Sequence, residues 1–500
     1  MPPCGKEPGK EYGAGDCLLV TGVDADSGAP LYEGLTLESI AQIALGAPEP
    51  LSSDLYGKKR RKDRGQGRGA IDGVDTANLA QAGWCVVFAA GLDPEVEKKL
   101  KPLLNLRKDQ AGKLFRRVEY SKPDGKRDFL KNCGAAETGP AIPEQLPYYL
   151  LLVGGPEDIP FTVQYELAVQ YAVGRIYFGK ELERYEAYAK AVVTAETGLV
   201  TVDPCAAFLG TETDKTTQES SSQLVQPLAE AFSKAQAAWD VEYLIGESAY
   251  KSDLKTLLNR PKAPALLMTA SHGVAYPCGD DRQIPYQGSL ILQDWEGRGR
   301  VETGMCFTAD DVNGLNTSGM ISIHFACFSG ATPKDNQFFG YSTSKAGLDK
   351  DLARAPFLSA LPSRLLANGT LAAVGHVDTA FSTTFRQGAS TAVFQDVLSK
   401  LAKGGRIGEA MDDFSLRHAE LSVGLTVTLD NEQRSKPEVR EDLAWRWLQN
   451  NDARNYFVTG DPAVKLPLAF SKAEQQARLS KRIGDLETEL AALRQQLSAL

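Results

Sequence analysis

The chain predicts an α/β fold built on a parallel sheet covered on both faces, and three observations predict it. Short apolar runs alternate along the chain with segments of helical period. The runs are almost continuously apolar, as strands buried on both faces require. Two of them also end in chemically active residues, His272 and Cys327, and in open parallel sheets functional groups gather at the carboxyl ends of strands.

In chain order, residues 1–78 are rich in Gly, Pro and polar residues, with one short helical pattern over 35–44. Residues 58–68 hold seven basic residues and one acid, and such a run reads as a solvated loop. A first α/β unit spans 79–204. Its strands are 84–90, 148–153 and 173–178, and its helices are 94–106 and 181–193, the latter with Leu182, Tyr185, Ala189 and Val192 on one face. Near Pro204 the pattern restarts, and a larger unit runs over 205–470. Strand 206–210 leads to a helix over 220–237 with Leu224, Leu228, Ala231 and Phe232 facing a core. Strand 241–245 and a short helix 251–258 follow, then the strands that deliver His272 and Cys327. A helix over 356–367 has Pro near its start and Gly369 after its end. Strand 371–375 comes next, and helices continue to about Leu448. This alternation implies helices on both faces of the sheet.

The last segment, 471–500, differs. Leu479, Ile483, Leu486, Leu490, Leu493, Leu497 and Leu500 are spaced alternately by four and three, a two-in-seven seam that predicts a coiled-coil helix. A docking helix on its own domain has a wider apolar stripe, so 479–500 is expected to pair with another copy or with a partner protein.

Composition excludes several classes. An apolar share of 43% with 24% charged residues is ordinary for a soluble globular protein. A net charge of −9 with no basic face in the larger unit over 205–470 argues against nucleic-acid binding. No apolar run reaches the roughly 18 residues of a membrane span, and the first residues lack the apolar core of a signal peptide. Eight scattered cysteines with no Cys-x-x-Cys pair argue against zinc and fit a reducing, cytoplasmic setting. No metal or cofactor is expected. Gly-x-Ser-x-Gly, His-Glu-x-x-His and Walker A signatures are missing.

The chemistry lies at two strand ends. Met320-Ile-Ser-Ile-His-Phe-Ala-Cys327 delivers a thiol, after which Phe328-Ser329-Gly330 turn the chain. Ala265-Leu-Leu-Met-Thr-Ala-Ser-His272-Gly273 delivers an imidazole 55 residues upstream. A thiol and an imidazole side by side are the minimum for a cysteine nucleophile with acid–base help. His324 falls on the opposite face of its strand from Cys327 and reads as a core residue. His418 lies in a helical region and carries no signal.

Further blocks stand in order around this pair: Pro147-Tyr-Tyr-Leu-Leu-Leu-Val-Gly-Gly-Pro-Glu-Asp-Ile-Pro160, Tyr171-Ala-Val-Gly-Arg-Ile176, Leu371-Ala-Ala-Val-Gly-His-Val-Asp378 and Val458-Thr-Gly-Asp-Pro-Ala-Val-Lys-Leu466. Together with the dyad they resemble the caspase/gingipain-type cysteine peptidases of clan CD, the gingipain-like and CHAT-like branches most closely. The resemblance spans roughly residues 80–467 and rests on the co-linear order of short motifs. It implies a caspase-hemoglobinase-like parallel-sheet sandwich preceded by a smaller α/β subdomain. It also implies a cysteine endopeptidase in which Cys327 attacks the peptide carbonyl and His272 protonates the departing amine. The N–H groups of Gly273 and Cys327 would bind the oxyanion. Glu212 sits about where gingipain-like enzymes supply a carboxylate to orient the histidine, and an exposed loop acid is the competing reading.

For substrate recognition, Asp214, Asp280, Asp281 and Asp378 lie near predicted strand ends with Glu219, and His376 ends the strand after the nucleophile. The two adjacent acids of the loop after His272 favour Arg or Lys before the cleaved bond, since a basic side chain needs a carboxylate in its pocket. Such a preference would make 58–64 a site for self-cleavage that releases an N-terminal guard, against the plainer reading of an inert loop. By analogy with CHAT-type peptidases the expected partner is a protein substrate cut in bacterial defence or cell death. Two alternatives stand beside this one: a non-catalytic peptidase-fold scaffold assembled through the coiled coil, and a cysteine-dependent transferase on the same dyad.

Overall fold

The computed structural model describes residues 17–46 apart from 33–34, 69–338 apart from 123–124, 350–382, 385, 389–430, 436–469 and 494. The heptad seam over 479–500, Arg494 apart, and the basic run at 58–64 lie outside the described residues.

Sixteen strands form among the described residues: β1 Gly22–Asp24, β2 Trp84–Ala89, β3 Phe115–Tyr120, β4 Tyr149–Val153, β5 Ala172–Ile176, β6 Cys205–Gly210, β7 Asp240–Ile245, β8 Leu266–Ala270, β9 His272–Ala275, β10 Leu290–Ile291, β11 Cys306–Phe307, β12 Ile321–Phe325, β13 Ala331–Thr332, β14 Phe357–Leu358, β15 Ala372–His376 and β16 Tyr456–Gly460. Ten of them make one sheet in the order β3-β2-β4-β5-β16-β15-β12-β8-β6-β7. Every neighbouring pair is parallel except β15 and β16. The sheet is thus two parallel halves of five strands running in opposite directions, joined at one antiparallel seam. The chain's penultimate described stretch closes it, because β16 enters beside β5 of the first half.

Strand composition follows position. The central strand β4, Tyr-Leu-Leu-Leu-Val, is buried at every residue, as helices on both faces demand. The edge strand β3, Phe-Arg-Arg-Val-Glu-Tyr, is only half-buried, and its Arg117 pairs with Glu97 and Glu119. Charges on an edge strand oppose pairing with a foreign strand. A four-stranded sheet, β1-β9-β10-β11, stands at the end of β8. It is formed by the N-terminal segment and by the chain that follows His272.

Two of the short motifs are held to one another by buried polar contacts. Arg175, in Gly-Arg-Ile, is fully buried and donates to Gln164 Oε1 at 2.8 Å, to the Gly154 carbonyl at 3.3 Å and to the Ile159 carbonyl at 2.7 Å. It therefore ties down the Val-Gly-Gly-Pro-Glu-Asp-Ile-Pro loop, whose carbonyls would otherwise be buried without partners. Asp461 of Gly-Asp-Pro accepts from Arg107 Nε at 2.7 Å and from Trp84 Nε1 at 2.9 Å, and Arg107 also meets Glu196 at 3.2 Å.

Within the Gly- and Pro-rich stretch over 1–78, Leu31, Tyr32, Leu35, Leu37 and Ile40 are buried in the main core. The segment also carries β1 and the helix Leu37–Gly46. The helix expected over 220–237 starts earlier, as Lys215–Ser220 capped by Asp214, passes through a π-turn at Ser221–Val225 and continues as Gln226–Ala235. The cap, which the apolar stripe does not reveal, sets where it begins. Among the described residues no helix is long and apolar enough to cross a membrane, and no group of three or more His, Cys, Asp or Glu side chains could hold a metal.

Arg107→Ala would leave Asp461 buried without its cation and Glu196 with Arg406 in its place. Breaking such a site from one side should cost about 3–5 kcal/mol, read as a lowered urea midpoint.

Candidate active site

The central geometry is a register. β8 and β12 pair in parallel from Leu266↔Ile321 to Ala270↔Phe325. His272 and Cys327 each stand two residues beyond that last pair, at adjacent strand ends. Ser271 N–H continues the ladder to the Phe325 carbonyl at 3.2 Å. Beyond it the two backbones touch. A Cβ at Gly273 would lie 2.0 Å from the Cys327 carbonyl oxygen, so only glycine fits after this histidine.

The turn after the nucleophile candidate is strained. Phe328 (φ 57°) and Asp378 (φ 74°) are the non-glycine residues with positive φ among the described residues. They are joined directly, Phe328 N–H donating to the Asp378 carbonyl at 2.9 Å. Left-handed conformations at such side chains cost of order 1–3 kcal/mol and persist where the surroundings over-determine them.

His272 is buried, with its ring edge-on to Trp295 at 5.8 Å between centroids. Its Nε2 meets Asp214 Oδ2 at 2.8 Å, and its Nδ1 has no hydrogen-bond partner. Asp214 serves two structures at once. Its Oδ1 caps the helix Lys215–Ser220 by accepting Thr217 N–H at 2.9 Å, with Thr217 Oγ1 returning to Asp214 N–H in a capping box. Burial alone would raise the Asp214 carboxyl. The His272 ring beside it and the Thr217 bonds outweigh burial and hold it at about 2. Glu212, expected to orient the histidine, is turned elsewhere and accepts from Ser221 Oγ at 2.8 Å and Gln226 Nε2 at 3.3 Å. The capping box decides between the two acids.

Cys327 is fully buried. Its Sγ accepts Ala380 N–H at 3.1 Å and lies 3.5 Å from Thr21 Oγ1. Burial pushes the thiol up to about 12, against the pull of the Thr21 and Ala380 bonds and with a further push from Asp378. The N-terminal segment covers it. β1 pairs in parallel with β9, Gly22↔Gly273 to Asp24↔Ala275, and Gly273 N–H donates to the Thr21 carbonyl at 2.8 Å. Thr21 and Gly22 match no catalytic motif in the sequence. The signal available was the apolar run Cys17-Leu-Leu-Val20 ahead of Thr-Gly.

The acids expected to bind substrate scatter. Asp280 is paired with Arg282 at 2.7 Å, which holds its carboxyl at about 2 and also bridges to Asp26. Asp281 is exposed. Glu219 is buried on the helix capped by Asp214. Asp378 is buried beside the site and accepts Thr379 N–H at 2.7 Å, and burial raises it to about 6. His376 does not line a cleft. It is fully buried, its Nδ1 lies 3.2 Å from the Asp378 carbonyl, and burial lowers it to about 3. His324 sits in the core between Thr269 at 2.9 Å and Ser322 at 3.0 Å.

No family model matches the chain, and no curated protein matches it. Among solved structures, the chain is similar to the Arg-specific cysteine proteinase gingipain R over 79% of this chain and 80% of that one, at 14% identity and a TM-score of 0.45. It is similar to the complex of Porphyromonas gingivalis RgpB pro- and mature domains over 77% and 80%, at 13% identity and a TM-score of 0.44. Similarity to the Saccharomyces cerevisiae separase–securin complex spans 63% of this chain and 16% of that one, at 12% identity and a TM-score of 0.33. At these values the likeness carries no residue-by-residue correspondence.

Two outcomes check the geometry. Asp214→Asn should abolish a downfield imidazole N–H resonance from His272 in the proton NMR spectrum, and Glu212→Gln should keep it. Gly273→Ala should destabilise the chain by at least the upper end of the about 1–3 kcal/mol typical of overpacking, measured by denaturant unfolding.

Proposed function

We propose that the chain is a cysteine endopeptidase of the caspase/gingipain type, with Cys327 as nucleophile, His272 as acid and Asp214 as the group that positions His272. The observation that carries this reading is the in-register delivery of the thiol and the imidazole to neighbouring strand ends. One ring nitrogen is fixed by a carboxylate and the other is left free to serve a reacting group.

The chemistry follows from these placements. Cys327 gives its thiol proton to His272 Nδ1, and the resulting thiolate Sγ forms a bond to the peptide carbonyl carbon while the carbonyl electron pair moves onto oxygen. The Gly273 N–H, which in the structure already donates to a peptide carbonyl, stabilises that oxyanion, and a preorganised donor of this kind is worth about 10²–10³-fold in rate. Collapse breaks the C–N bond while a proton passes from His272 Nδ1 to the leaving amine. Water then adds to the thioester, releasing the acid and restoring the thiol. Asp214 keeps Nε2 occupied so that the proton on offer sits at Nδ1.

A preference for Arg or Lys before the cleaved bond rests on Asp378. Of the acids near the strand ends it is the one joined to the turn after Cys327, its carbonyl accepting Phe328 N–H at 2.9 Å. Asp280 already has Arg282. A non-catalytic scaffold is the second reading, favoured by the complete burial of Cys327.

Once residues 17–24 are displaced from Cys327, the chain should cut a mixed peptide library, read by mass spectrometry, with cuts concentrated after Arg and Lys. Cys327→Ala should yield none, and Asp378→Asn should lose the basic preference. An absence of cleavage by any form of the chain in which iodoacetamide alkylates Cys327 would overturn the peptidase and leave the scaffold.

A further inference from the structure

The segment that covers Cys327 does not merely lie on the site. It is bound along both of its backbone edges. On one side, Thr21 N–H donates to the Ala380 carbonyl at 3.0 Å, Ser382 N–H donates to the Leu19 carbonyl at 3.1 Å, and Val20 opposes Phe381 in an antiparallel bridge. On the other side, Gly273 N–H donates to the Thr21 carbonyl at 2.8 Å and Ala25 N–H donates to the Ala275 carbonyl at 2.9 Å. An extended peptide added to exposed strand edges is bound in this manner.

The register places the Thr21–Gly22 peptide bond at the chemistry. The Thr21 carbonyl occupies the Gly273 N–H, and Thr21 Oγ1 lies 3.5 Å from Cys327 Sγ. A Cβ at Gly22 would stand 2.9 Å from Sγ and 2.5 Å from Leu31 Cδ1, so glycine is required for so close an approach. Beyond Gly22 the chain turns back on itself. Asp24 Oδ1 accepts from Asp26 N–H, Ser27 N–H and Ser27 Oγ, and Leu31 N–H donates to the Gly22 carbonyl at 3.0 Å. The helix Leu37–Gly46 then anchors the segment through Glu38 to Arg440, on the helix Pro437–Asn455.

We propose that residues 17–24 are an intramolecular guard that occupies the peptide-binding cleft in the register of a substrate, with Thr21 on the amino side of the bond presented to Cys327, and that the chain is latent until this strand leaves. The proposal rests on the peptidase reading for the meaning of the cleft, and on geometry alone for the covering of Cys327. The groups it assigns to a true substrate are those the guard now uses: the Ala380 carbonyl, Ser382 N–H and Gly273 N–H.

The test compares the full chain with Gly22→Val, whose side chain cannot coexist with the seated strand, and with Thr21→Gly, which loosens the strand without any clash. Two rates are read at neutral pH: alkylation of Cys327 by iodoacetamide, followed by peptide mass spectrometry, and hydrolysis of the peptide library. Alkylation should rise about tenfold or more in Gly22→Val and severalfold in Thr21→Gly, as a small shift in the open population requires, and hydrolysis should rise with it. Should Gly22→Val fail to fold, judged by circular dichroism, Thr21→Gly alone decides. Alkylation at the parent rate in the folded variants would overturn the guard. Faster alkylation with no hydrolysis would uphold the guard and overturn the peptidase.

Discussion

The parallel pairing of β8 with β12 is the constraint from which the rest of the site follows. Parallel strands in register end together, so residues at equal distances beyond the last pair become neighbours without further design. His272 and Cys327 are such residues. The close backbone contact at Gly273 then fixes how far the two exits can separate. It leaves one N–H pointing into the space where a peptide carbonyl is bound. On the proposed reading Gly273 sets both the spacing of the dyad and the donor for the oxyanion, and a side chain there would disturb both.

Electrostatics around the pair are divided between its two members. Asp214 sits where a helix N-cap and an imidazole meet, and its carboxylate is strongly favoured by both. The thiol is treated in the opposite way. It is packed against Thr21, Gly22 and Ala380, and burial pushes it well above the ordinary thiol range. A competent histidine beside an incompetent thiol is an intelligible state if the difference is made by the strand lying over the sulfur and not by the catalytic framework.

The strands of the sheet and the residues at their ends were legible because both are local signals: continuous apolar runs, each followed by a glycine or a turn. What escaped was settled by contacts between distant segments or by single caps. Glu212 and Asp214 lie two residues apart, and nothing in their order tells which one faces the ring. The capping box with Thr217 does so only once the helix starts at Lys215. Asp280 and Asp281 looked like a free acidic pair, but Arg282 folds back on Asp280 and joins it to Asp26 from the N-terminal segment. The segment over 17–24 was obscured by its Gly- and Pro-rich flanks. Its role depends on meeting Gly273 and Ala380, far along the chain, and no window of sequence contains that meeting.

The seam between β15 and β16 bears on how the molecule comes into being. Until residues 456–460 are in place, β5 and β15 each present an uncovered edge, and the two halves of the sheet have no common ladder. The halves can form in turn as the chain emerges from the ribosome, but their union must wait for the last described strand. The covering strand is made in the reverse order. Residues 17–24 are synthesised before Gly273, Cys327 and Ala380 and find their seat only once these exist. The strand that covers the thiol is therefore already present when the thiol is made.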